Sequence, residues 1–203
     1  MPNFITHYFV RGTEPFRSIS ELDGASWLRL CKDLADRRAK DPSYNRRFGR
    51  QYRSVRLDAE AELRSRFLEI GGRIEREAPV YFCLGASDWW AGFCDHEEIR
   101  IELSDIDPQT ISFTYPDSLT PMGMLKRFGL VHEAKPYHGK VFRLDQIEAV
   151  IREFGFPSGS SPSRYKEYHK EDLEVYIEAQ LWSGEPIRML REKRANRALK
   201  NAP

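Results

Sequence analysis

Residues 174–186 read EVYIEAQLWSGEP. From Val175 to Leu181 every second side chain is apolar: Val175, Ile177, Ala179, Leu181. A period of two marks a β-strand, expected over 174–182, with one face against a core. The opposite face carries Glu174, Tyr176, Glu178, Gln180 and Trp182. Glu178 and Gln180 are two apart, so they point the same way. Two readings of that face stand side by side. It is the solvated side of an antiparallel sheet, or it is one wall of a site. In the second case an acid beside an amide binds a sugar hydroxyl and stabilises a developing cation.

Outward from this strand, shorter apolar runs predict strands over 4–10, 79–85, 99–103 and 110–115. Apolar residues three and four apart predict helices over about 21–39, 59–70 and 144–155. In the second helix Leu63, Phe67 and Ile70 share a face, Asp58 caps the start, and Gly71-Gly72 ends it. In the third, Ile147, Val150, Ile151 and Phe154 form the core stripe, and Asp145 with Glu148 has capping-box spacing. The segments 41–54, 116–140 and 156–164 read as loops. This order predicts an α+β fold, helices around a largely antiparallel sheet. One domain is expected over 1–187, with a basic tail over 188–203.

The chain has 203 residues, enough for a core that removes about 70% of the extended surface from water. Lysine and arginine balance aspartate and glutamate to a net charge of +1, so no global field draws the protein to nucleic acid or membrane. Local bias exists: arginines mix with Tyr44, Phe48 and Tyr52 in the 41–56 segment, a pattern that suits base stacking and phosphate binding. Its plain alternative is a solvated charged loop. Cys31, Cys83 and Cys94 make no disulfide framework. No apolar stretch is long enough to span a bilayer, and Arg11 and Glu14 interrupt any signal-peptide core, so a cytoplasmic setting is expected.

Familiar catalytic signatures are missing. Cys83, Cys94 and His96 lack the paired spacing of a zinc site, and no metal is expected. The HEEIR segment is not HExxH, and no glycine-rich phosphate loop or Gly-x-Ser-x-Gly elbow occurs. Cys31 and Cys83 read as core residues.

The order HYFVRGT (7–13), a helix, PVYFCLG (79–85), GKVFRLDQI (139–147) and YIEAQLW (176–182) resembles the ADP-ribosyltransferase-like fold, in its toxin-related, DNA-modifying branch. The resemblance implies split antiparallel β-sheets with flanking helices, NAD in the cleft, and a protein or nucleic-acid acceptor. It implies Glu178 as the catalytic acid and Gln180 as a residue orienting the acceptor. Tyr81 would stack on nicotinamide. His7, or Arg11 with Gly12 and Thr13, would fill the first-strand role on the cofactor; both remain open. Gln180 follows the acid instead of preceding it, and Val80-Tyr81-Phe82 replaces a serine-rich second strand. Both departures argue against the arginine-modifying branch.

Two other functions fit the same sequence. One is a non-enzymatic, partner-binding domain that exposes Trp89 and Trp90. The other is a nucleic-acid-binding protein that uses the 41–56 segment.

Overall fold

The computed structural model describes residues 1–41, 51–92, 95–119, 135–157 and 174–200, with side chains through 194. Five strands form one antiparallel sheet. They are β1 (Phe4–Val10), β2 (Val80–Leu84), β3 (His96–Glu102), β4 (Ile111–Thr114) and β5 (Glu178–Leu181), in spatial order β3-β1-β2-β5-β4. The α+β expectation holds at this level. Among the described residues there is one sheet, not two. Its continuity is thin at one seam: β1 pairs with β3 along all seven residues but with β2 only at Ile5 and Thr6.

The sheet buries both faces at β2, β5 and β4, while β3 exposes Glu98, Arg100 and Glu102. One face is apolar, with Ile5, Phe82, Leu84, Ala179, Leu181, Ile111 and Phe113 in the main core. Two helices complete that core: α4 (Leu144–Phe154) through Ile147, Val150 and Ile151, and α5 (Glu185–Lys200) through Ile187 and Leu190. Helix α4 matches its periodic stripe. Its first turn is capped at Arg143, whose backbone N–H donates to Gln146, so the Asp145–Glu148 capping box does not form. Helix α5 runs through position 188, where the basic tail was expected to begin.

The other face meets α2 (Tyr52–Glu69). Val55, Ala59, Leu63 and Phe67 recur every four residues and are all buried, which is the stripe that docks this helix. Phe67 stacks on Trp182, with ring centres 6.2 Å apart. The helix therefore starts at Tyr52, not near 59, and Asp58 lies inside it; charged neighbours hide the first turn of the stripe in the sequence. Also among the described residues are α1 (Gly24–Lys40), capped by Asp23 on the Ser26 N–H, and α3 (Asp88–Ala91), a single turn.

The opening strand is shorter than its alternation suggests. Only Glu178–Leu181 joins the ladder, between β2 and β4. Residues 175–183 are nonetheless all buried, so the polar face of this strand is not solvated. A central strand covered by helices on both sides has no wet face.

Gly72 ends the turn after α2, where its N–H donates to the Phe67 carbonyl. A Cβ added there would overlap the Phe67 ring, whereas one at Gly24 meets open space. Gly72→Ala is expected to destabilise the protein by about 1–3 kcal/mol, and Gly24→Ala to change stability by no more than about 0.5 kcal/mol. Urea denaturation of the two variants checks the difference.

Candidate functional site

Strand register sets two polar rows across the sheet face under α2. Cys83, Glu178 and Thr114 are ladder partners in one row, continued by Thr6 on β1. Tyr81, Gln180 and Ser112 form the next. Gln180 is completely buried and joins the rows. Its Nε2 donates to Thr114 Oγ1 (3.0 Å) and Glu178 Oε1 (3.1 Å), and its Oε1 accepts from Ser112 Oγ (2.8 Å). Ser112 in turn accepts from Trp182 Nε1 at 2.9 Å. A buried amide with all these partners is fixed in orientation.

Glu178 is 4% exposed. Its Oε1 also accepts the Ser118 backbone N–H at 3.2 Å. Its Oε2 accepts no hydrogen bond from the described residues. Burial pushes its pKa up; the nearby Arg56 pulls down, and Asp117 adds to the rise.

Helix α2 supplies the roof. Tyr52, Arg56 and Glu60 are four apart, on one face beside the apolar stripe. The Arg56 guanidinium lies 4.5 Å from the centre of the Tyr81 ring, within cation–π range. It donates to Ser118 Oγ (2.8 Å) and Tyr52 Oη (3.2 Å). Among the described residues no carboxylate lies within ion-pair distance of it. Glu60 Oε1 accepts from Tyr81 Oη (2.8 Å) and Ser20 Oγ (2.6 Å). Burial raises the Glu60 pKa against these two bonds. Two carboxyl groups with raised pKa values thus flank one tyrosine–arginine stack.

The expected site residues divide. Tyr81, Glu178 and Gln180 come together as neighbours on β2 and β5. One face of the Tyr81 ring, expected to receive nicotinamide, carries Arg56. His7 is in the same sheet but points to the opposite, apolar face, its ring 4.9 Å from Phe16 and 5.4 Å from Phe82. Its Nε2 accepts the Phe16 N–H at 3.0 Å, which leaves Nδ1–H to donate to the Tyr81 carbonyl at 2.9 Å. The imidazole therefore stitches β1 to β2 where their ladder stops. Phe16 itself holds a positive φ of 61° there. Arg11 is 60% exposed and pairs with Asp95 at 2.9 Å. Gly12 (φ 75°) turns the chain, and Thr13 Oγ1 donates back to the Val10 carbonyl. The RGT segment is a surface turn at the far end of β1.

Glu60 escaped the sequence reading, and Arg56 entered it only as the last arginine of the basic 41–56 segment. Their signal was present as the Tyr52-Arg56-Glu60 spacing, but it is visible only once the helix is extended back to Tyr52. The rest of the basic segment, 42–50, and Cys94 lie outside the described residues. Among the described residues no cluster of His, Cys, Asp or Glu is set to hold a metal ion. No helix there is long and apolar enough to cross a membrane. Trp89 is buried and Trp90 half-buried; they pack with Cys83, Val175 and Tyr176, and do not form an exposed indole pair.

Clefts among the described residues lie elsewhere. One of ≈680 Å³ lies between α2 and α4, near Arg66, Val141 and Gln146. Another, of ≈490 Å³, lies between β1 and α1 and is lined by His7, Thr13, Ser18 and Arg29 among others. Neither is lined by Glu178, Gln180 or Tyr81. No protein-family model, curated protein or solved structure significantly matches this chain.

Burial lowers the His7 pKa to about 4, opposed in part by its bond to the Tyr81 carbonyl. The unfolded chain then binds this proton more tightly, so stability is full above pH 6.5 and declines as pH falls toward 4. Between pH 7 and pH 4 the wild type is expected to lose about 3 kcal/mol more than His7→Phe. Parallel urea titrations at the two pH values measure that difference.

Proposed function

We propose that this chain is an NAD-dependent ADP-ribosyltransferase-like enzyme whose reacting acid is Glu178. One observation carries the reading: the buried Glu178 carboxyl keeps one oxygen that accepts no hydrogen bond from the described residues, near the Arg56 guanidinium with which it forms no ion pair. Such an oxygen suits a ribose hydroxyl, and it stabilises positive charge developing at the adjacent anomeric carbon. The C1′–N bond breaks, nicotinamide leaves with the electron pair as a neutral molecule, and the acceptor's lone pair closes the new bond. The acceptor's proton passes to solvent. Gln180 holds Glu178 in place and does not reach an acceptor. Arg56, whose guanidinium has N–H groups beyond those donated to Ser118 and Tyr52, takes the anionic part of the substrate. His7, Arg11, Gly12 and Thr13 have no part in this arrangement. The donor set fits the ribose and phosphate of NAD; the expected stacking of nicotinamide on Tyr81 does not fit while Arg56 covers that ring.

A second reading is favoured by the depth of the network. Glu178 lines neither cleft, and Gln180, Ser112, Thr114 and Trp182 satisfy one another. The same residues then form a polar core that fixes the register of β5, since a one-residue slip would bury these groups without partners.

A nicotinamide-release assay with NAD and candidate acceptors separates the two. The enzyme reading expects release by the wild type and a rate lower by about 100-fold or more in Glu178→Gln, with the fold intact by circular dichroism. Equal rates in both proteins would remove Glu178 from the chemistry. No release from either, with Glu178→Gln as stable as the wild type or more so, is the outcome for a polar core.

A further inference from the structure

Glu60 is a buried carboxyl in the middle of a helix, and among the described residues no cation pairs with it. Burying an acid in this way costs free energy that an apolar residue would avoid. Its contacts show what it holds. One oxygen, Oε1, accepts from both Tyr81 Oη and Ser20 Oγ. Tyr81 belongs to β2, on which the Arg56 guanidinium rests, and Ser20 belongs to the turn that follows Phe16. Arg56 and Glu60 are one helical turn apart, so Glu60 grips the far end of the same tyrosine that Arg56 covers. From Arg56 the contacts continue through Ser118, whose Oγ accepts from Arg56 and whose N–H donates to Glu178.

We infer that Glu60 is a positioning residue: by holding the Tyr81 hydroxyl it locks the ring beneath Arg56 and so fixes the guanidinium relative to Glu178. This rests on the reading of Glu178 and Arg56 as the reacting site, because positioning is of use only if that pair meets a substrate. Without the Glu60 oxygen the phenol rotates toward another acceptor, the stack loosens, and Arg56 loses its defined place.

The test reads the stack and the activity separately. A guanidinium over an aromatic ring has its Nε–Hε proton shifted upfield by the ring current. In ¹H–¹⁵N spectra of the full chain the Arg56 signal, identified by its loss in Arg56→Lys, is expected to show this shift. Glu60→Ala and Tyr81→Phe are expected to return it toward the position of a free arginine. Glu60→Gln, which keeps an acceptor oxygen, is expected to retain it. Tyr81→Phe removes the same hydrogen bond from the other partner and so covers the case in which Glu60→Ala does not fold. In the nicotinamide-release assay the two disruptive variants are expected to lose activity on the order of tenfold to a hundredfold, and the double variant no more than either alone. An unchanged Arg56 signal in folded Tyr81→Phe and Glu60→Ala would overturn the inference, whatever the activity. If the signal behaves as expected but the wild type releases no nicotinamide, the positioning stands and the enzymatic reading fails.

Discussion

A strand buried on both faces cannot carry an acid and an amide unless the fold supplies their partners. That constraint falls on β5, between β2 and β4, with α4 and α5 on one side and α2 on the other. Its apolar side chains pack in the ordinary way. Glu178 and Gln180 instead require a hydrogen-bonded neighbourhood: each other, Ser112 and Thr114 on β4, and the backbone of Ser118. Because an unsatisfied buried polar group costs more than a satisfied one gains, the network ties the register of β5 to that of β4.

The roof of that network is built by the same economy of spacing. Along α2 a four-residue repeat of apolar residues docks the helix, and a second repeat, Tyr52-Arg56-Glu60, lies alongside it. Docking the first repeat therefore delivers the second to Tyr81. A guanidinium, two carboxyl groups and a phenol end up within contact distance of their neighbours without a charged pair closing between Arg56 and Glu178. Ion pairs form freely on the surface, as at Arg11–Asp95 and Arg66–Glu62. In the buried site Arg56 faces hydroxyls and an aromatic ring, and no carboxylate among the described residues pairs with it.

On the opposite face His7 serves the fold. Where β1 and β2 stop pairing, its two ring nitrogens link the Tyr81 carbonyl to the Phe16 N–H. A neutral imidazole does this because one nitrogen donates while the other accepts. Protonation would turn the Nε2 acceptor into a donor facing the Phe16 N–H, so burial and that contact oppose the charge, while the Tyr81 carbonyl favours it. Tyr81 thus links both faces: its carbonyl holds the histidine stitch and its side chain carries the arginine.

What the sequence determined by itself is local. The alternation in 175–181, the apolar runs of β1 and β2 and the stripe of α4 follow from side-chain periodicity, and they specify an α+β chain. They also place Tyr81, Glu178 and Gln180 on strands. Periodicity says which residues share a face of one element, but not which elements meet or which side of the sheet a strand turns outward. Tertiary structure decided those matters. It set Tyr81 beside Gln180 by strand register and sent His7 to the other face. It left Arg11 on a surface turn, and it brought Arg56 and Glu60 over the tyrosine by docking α2. The physical reason is that pairing and docking are chosen by the burial of the whole apolar surface, and polar residues arrive where that burial carries them.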